Sequence, residues 1–154
     1  MALNVASHYP DQPELLNAMA DLAVEELNHY REVIRIMLAR DIHPAPDSKD
    51  PYIHTLNRAI RKGPAEFLLD RLLVGAVVER RGAERFGIVA AHIRDPALAR
   101  FYRSITASEE RHWELFVRLA QQHCAAREVL PRLIELTEIE AGIMNELPIR
   151  AALH

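Results

Sequence analysis

The sequence lacks most of what would staple a chain or carry it across a membrane. Its 154 residues contain one cysteine, Cys124, so neither a disulfide framework nor a cysteine-based zinc site can form within the chain. A reducing compartment is the natural setting for such a protein. No stretch approaches eighteen apolar residues, which excludes a membrane-spanning helix. The opening MALNVASHYPDQ has no positive-then-apolar layout of the secretory kind. No run combines period-two alternation with β-branched enrichment, so no strands are predicted. Excess positive charge is also missing. The net charge of −3 argues against a protein that coats nucleic acid non-specifically. These absences predict a soluble, cytoplasmic, helical protein with no membrane partner.

What is present is apolar and helical. Apolar residues make up 49% of the chain with only five glycines, enough to bury one core, and a single domain over 1–154 is expected. Pro10 to Pro13 reads as a turn, with Pro13 in the first turn of a helix that runs to about Arg40. A loop through Pro44, Pro46 and Asp47 ends it. Asp50-Pro51 caps a short helix that stops at Lys62-Gly63. Long helices follow over about Pro64–His92, Pro96–Cys124 and Glu128–Glu146, the last stopped by Pro148. The expected fold is all-α, an antiparallel four-helix bundle of the ferritin-like kind with extra helices.

Polar groups interrupt the apolar stripes of three helices at one level. The first helix presents positions 15, 19, 22, 26, 29, 33 and 37 on one face, placing Glu26 and His29 among Met19, Leu22, Val33 and Met37. Glu109 and His112 sit likewise among Leu98, Ile105, Phe116 and Leu119. Glu79 lies on the stripe Leu68, Leu72, Gly75, Gly82, Phe86. A Glu-x-x-His tetrad alone is weak, because fifteen glutamates and eight histidines supply about 0.8 such pairs by chance. Position decides the matter. From the turns at Gln12 and Asp95, Glu26, Glu79 and Glu109 all lie about 21–24 Å along their helices, at one height. Unpaired charge in a core costs several kcal/mol per group, and divalent cations are the compensation this donor set suggests. Carboxylates and imidazoles without thiolate suit iron or manganese better than zinc.

At these residues the chain resembles the MiaE-type tRNA hydroxylases. The likeness runs through LAVEELNHYREVIRIM, DRLLVGAVVERRGAERF and FYRSITASEERHWELFVRLA and extends over nearly the whole chain. The resemblance implies a di-iron, dioxygen-dependent monooxygenase that hydroxylates the isopentenyl group of methylthio-isopentenyl-adenosine in tRNA. An electron-donor protein would be its partner. Carried over by motif, Glu26, His29, Glu79, Glu109 and His112 become the iron ligands. The family's first helix supplies one further glutamate. Here only nine residues precede Pro10, where about fourteen are needed to reach the metal level, so that ligand would fall upstream of Met1. An incomplete site predicts weak metal occupancy or self-association into a homo-oligomer over the gap. Two other functions fit the same stripes: a ferritin-like oxidase or iron-handling protein with no nucleic-acid substrate, and a degenerate bundle kept for binding or structure.

Charge is unevenly spread. Residues 51–118 carry twelve basic and eight acidic side chains, and seventeen of the nineteen basic residues of the chain are arginine. Solvated helix faces account for this, and so does a shallow basic face for an anionic partner. Arg58, Arg61, Lys62, Arg80, Arg81 and Arg85 are the candidates for tRNA phosphate contacts. Glu25 and Glu110 turn about 100° from the ligand stripe and are read as solvated or supporting groups. Glu84 is read as an ion-pair partner, His54, His92 and His123 as structural, and Trp113 as packing between helices.

Overall fold

The computed structural model describes residues 1–46 and 48–148, and Asp47 of the expected loop lies outside them. Every regular element among the described residues is a helix: α1 (Ala2–His8), α2 (Pro13–Leu38), α3 (Pro51–Asn57), α4 (Pro64–His92), α5 (Pro96–His123) and α6 (Ala126–Glu146). None is long and apolar enough to cross a membrane. The backbone groups itself into two compact units, Met1–Lys49 and Asp50–His154.

Local chemistry sets the boundaries. Proline opens α2, α3, α4 and α5, where its missing N–H leaves no bond unmade. The Asp50 carboxylate accepts from the Tyr52 N–H at 2.8 Å, and Asp95 accepts from Ala97 and Leu98 at 2.8 and 3.2 Å. Helix α2 ends at Leu38, close to the expected Arg40. Asp41 takes φ 56°, and the Ile42 N–H reaches back to the Met37 carbonyl at 3.0 Å, the left-handed turn that closes a helix end. Helix α3 also ends short of Lys62. The Arg61 N–H donates to an Asp70 carboxylate oxygen at 2.8 Å, so the chain there serves α4 instead of continuing its own helix.

In the first unit α1 packs on α2. Val5 and Ala6 are buried, as are Leu15, Met19 and Leu22 in the first ten residues of α2. Burial on this stripe then fades: Glu26 and Val33 are exposed and His29 half-buried. Helix α1 has seven residues, about 10 Å, which covers no more than the opening turns of α2.

In the second unit α4 and α5 form an antiparallel hairpin. Phe86 meets Tyr102, a Cβ built on Gly82 would lie 3.4 Å from Glu109, and Glu79 meets His112, so partners retreat along one helix as they advance along the other. Helix α6 runs parallel to α4, with Arg132 bound to Asp70, Glu140 to Arg81 and Met144 to Arg85. Leu69, Leu72, Leu73, Phe116 and Leu136 fill the core, each under 2% exposed. Fully burying a side chain of this size contributes roughly 1.5–3 kcal/mol.

Candidate metal centre

Glu79 on α4 and Glu109 and His112 on α5 come together on the inner faces of the hairpin. One donor atom from each lies within 4.8 Å of the others. Exposures of 8, 8 and 3% put all three inside the protein. His112 Nδ1 is 3.6 Å from Glu79 Oε2. The helical period explains the placement: Ile105, Glu109, His112, Phe116 and Leu119 share one buried face of α5, so the stripe that builds the core also delivers the donors. Gly82 stands opposite Glu109, where a Cβ would lie 3.4 Å from Oε2 and 3.7 Å from Cγ. These are ordinary van der Waals distances, so the two helices pack closely at the Glu109 carboxylate.

Two carboxylates brought this close repel one another, and burial strengthens the repulsion. A divalent cation held between them turns that cost into coordination, with the imidazole as a neutral third donor. The donor set therefore fits a metal such as iron.

Glu26 and His29 stand on α2 of the first unit. The Glu26 side chain is 46% exposed and that of His29 21%, with His29 Nδ1 3.7 Å from Glu26 Oε1 and Nε2 4.0 Å from Glu25 Oε1. They repeat on α2 the spacing of Glu109 and His112, without the burial.

The basic candidates divide. Arg61 donates to Asp70 through its side chain at 2.7 Å, and Arg81 donates to both Glu140 oxygens at 2.8 and 2.5 Å and to Glu84 at 2.7 Å. Arg80 stacks over Trp113 at 5.5 Å with Glu84 3.5 Å away, and Arg85 lies 5.5 Å over Tyr52. Arg58 and Lys62 are exposed. Glu84 is thus the ion-pair partner expected of it, and Trp113 lines a cleft with Val77 of α4 and Leu133 of α6. The His92 Nδ1 hydrogen-bonds the Ile88 carbonyl at 2.8 Å, a local helix contact. Glu110 and His54 are exposed and His123 half-buried.

Two buried carboxylates escaped the sequence reading. Asp70 is 0% exposed and held between Arg61 and Arg132, the latter donating at 2.6 and 3.0 Å and also to the Ala59 carbonyl at 2.7 Å. Burial pushes its carboxyl up, but the Arg61 and Arg132 hydrogen bonds outweigh burial and hold it below the ordinary value. Glu140, also 0% exposed, accepts from Arg81 and from the Tyr52 hydroxyl at 3.2 Å. Burial, then the Glu140 charge, raise the Tyr52 phenol well above its ordinary range. A signal did exist: Arg132 and Glu140 lie on the α6 stripe Val129, Leu136, Ile143, and Asp70 interrupts the apolar run Leu68-Leu69 to Leu72-Leu73.

Comparison with known proteins agrees with this architecture. A solved structure described as "Protein 43 with aldehyde deformylating oxygenase activity from Synechococcus" is 33% identical, covers 97% of this chain and 74% of its own, and superposes with a TM-score of 0.91. The fold is all-α and ferritin-like, as the stripes predicted. Two relatives carry the name tRNA 2-(methylsulfanyl)-N(6)-isopentenyladenosine(37) hydroxylase. The one from Pseudomonas putida is 37% identical over 122 residues, 79% of this chain and 59% of the relative. The one from Salmonella typhimurium is 34% identical over 131 residues, 85% of this chain and 48% of the relative. The chain thus spans about half the length of these relatives. The profile of the family described as tRNA-(MS[2]IO[6]A)-hydroxylase (MiaE) matches residues 1–154, and the chain belongs to that family.

Proposed function

We propose that this chain is a di-iron monooxygenase that hydroxylates the isopentenyl group of methylthio-isopentenyl-adenosine in tRNA. The observation that carries the reading is the buried trio Glu79, Glu109 and His112 in a chain of the MiaE family. In this reading Glu26 and His29 of α2 are further ligands. Their i, i+3 spacing, identical to that of Glu109 and His112, puts both donors on one helical face.

Iron held there would supply oxygen chemistry against an unactivated C–H bond. The likeness to a protein named for oxygenase activity supports dioxygen as co-substrate. The residues of the chain do the rest. Glu79, Glu109 and His112 fix the site on two rigid helices, with Gly82 facing the Glu109 carboxylate across the hairpin. Ile105 and Phe116, buried on either side of the α5 donors, keep bulk water from them. Electrons come from a separate donor protein, and a tRNA substrate goes with a cytoplasmic location. Of the basic candidates, Arg58 and Lys62 offer exposed charge for phosphate, while Arg61 and Arg81 are committed to buried carboxylates.

The test is mass analysis of nucleosides from tRNA carrying the isopentenyl modification, after incubation with the iron-loaded chain, dioxygen and a reductant. The expected result is a gain of one oxygen atom on the modified adenosine. Full iron loading with no oxygen gained would sink the proposal.

A further inference from the structure

Of the basic residues singled out in the sequence, Arg61 and Arg81 serve Asp70 and Glu140, while Arg58 and Lys62 stay exposed. More exposed positive charge lies on the outer face of α5. Arg100, Arg103, Arg111 and Arg118 are all exposed there. At about 100° per residue, Arg100, Arg111 and Arg118 fall within about 20° of one line along the helix, with Arg103 about 60° to one side. The line spans about 27 Å. It lies on the far side of α5 from Glu109 and His112. Among the described residues Arg100, Arg103 and Arg118 make no ion pair, while Arg111 hydrogen-bonds Ala107 O and Ser108 Oγ on its own helix, both at 3.0 Å. Two exposed carboxylates, Glu110 and Glu114, share this side.

We infer that this arginine line is a docking surface for the phosphate backbone of RNA. Charge complementarity carries the argument: each guanidinium presents a fork that matches phosphate oxygens, and three are held in no ion pair. The residues between them decide against other occupants. Ser104, Ala107 and Glu114 provide nothing to insert into a bilayer and no apolar anchor for a protein partner. Because the line lies opposite the donors, it grips the body of the RNA and not the reacting base. A helix is about 10 Å across, so the reacting nucleotide has to reach around it, which suits an unpaired loop base and not one within a duplex. The inference deepens the tRNA reading and rests on it.

The experiment compares tRNA binding to the iron-loaded wild type and the R100A/R103A/R118A variant across a range of salt concentrations. Alanine favours helix and the three sites are exposed, so the fold is kept, which circular dichroism and iron content both check. The expected result is weaker binding with a salt slope smaller by about 2–3, some 0.7–0.9 for each arginine removed. Glu114→Gln, which removes negative charge from the same side, tightens binding. An unchanged slope in the triple variant overturns the docking surface; the tRNA reading then stands if the wild type still hydroxylates modified tRNA. No tRNA binding by the wild type overturns both. Arginine-dependent binding to phosphatidylserine vesicles that tRNA does not displace would make the line a membrane surface and overturn it as well.

Discussion

Replacing Asp70 with asparagine keeps the shape of the side chain and removes its charge, which isolates what that carboxylate does. In the wild type Asp70 is 0% exposed and Arg132 only 7%, and Arg61 closes the other side of the pair. Removing one partner of a buried pair typically costs about 3–5 kcal/mol, because the other charge is left in the interior. Arg132 keeps the Ala59 carbonyl and a 2.7 Å contact to Glu135. The Glu135 side chain is 59% exposed and therefore screened, so the expected loss is about 3 kcal/mol, the low end of that range. At 2–4 °C per kcal/mol for a chain of this size, that is a drop in Tm of about 6–12 °C. Urea denaturation followed by circular dichroism reads it. A double variant, D70L/R132M, recovers most of the loss, since neither charge is then buried alone. The acid limb of the stability curve gives a second readout. Asp70 has a folded pKa below its ordinary value of 3.8, so its contribution is present above that pH and fades as the pH falls through the folded value. The D70N protein therefore loses less stability than wild type on acidification below about pH 4. A D70N protein within about 1 kcal/mol of wild type would refute the reasoning, since that is the scale of a surface pair.

Three further outcomes follow from the same geometry. His112→Ala removes at least one of two iron equivalents while helix content stays near wild type, because Ile105 and Phe116 still drive burial on the same stripe; iron analysis and circular dichroism check both halves. Gly82→Ala adds a methyl at ordinary van der Waals distance, 3.4 Å, from Glu109 Oε2 and leaves iron binding near wild type, measured by competition with a chelator. Tyr52 is held neutral by burial and Glu140, so in an ultraviolet titration one of the four tyrosines fails to ionise near pH 10; the stability this brings is present below pH 10 and is lost as the pH rises further.

Helix identity and the α4–α5 donors were legible in the sequence because one physical rule governs both. The 3.6-residue period that buries Leu72 and Phe116 also carries Glu79, Glu109 and His112 inward, and proline with Asp50 and Asp95 marks where the helices begin. Helix ends were less legible, since the stop at Asp41 is a backbone turn available to many residues and the early end of α3 depends on Asp70. The periodicity of α2 did not disclose that its burial fades after Leu22, because a stripe records which face is apolar and not how far a neighbour reaches along it. Arg61 and Arg81 show the same limit. A solvated arginine and one bonded to a buried carboxylate look alike in sequence until the partner is known.

The most direct test of the central claim is anomalous diffraction at the iron edge from crystals of the iron-loaded chain. The account predicts two peaks about 3.5–4 Å apart, bounded by Glu79, Glu109 and His112, with Glu26 and His29 as further ligands. Peaks away from Glu79, Glu109 and His112, or none in protein that retains its iron in solution, would contradict it.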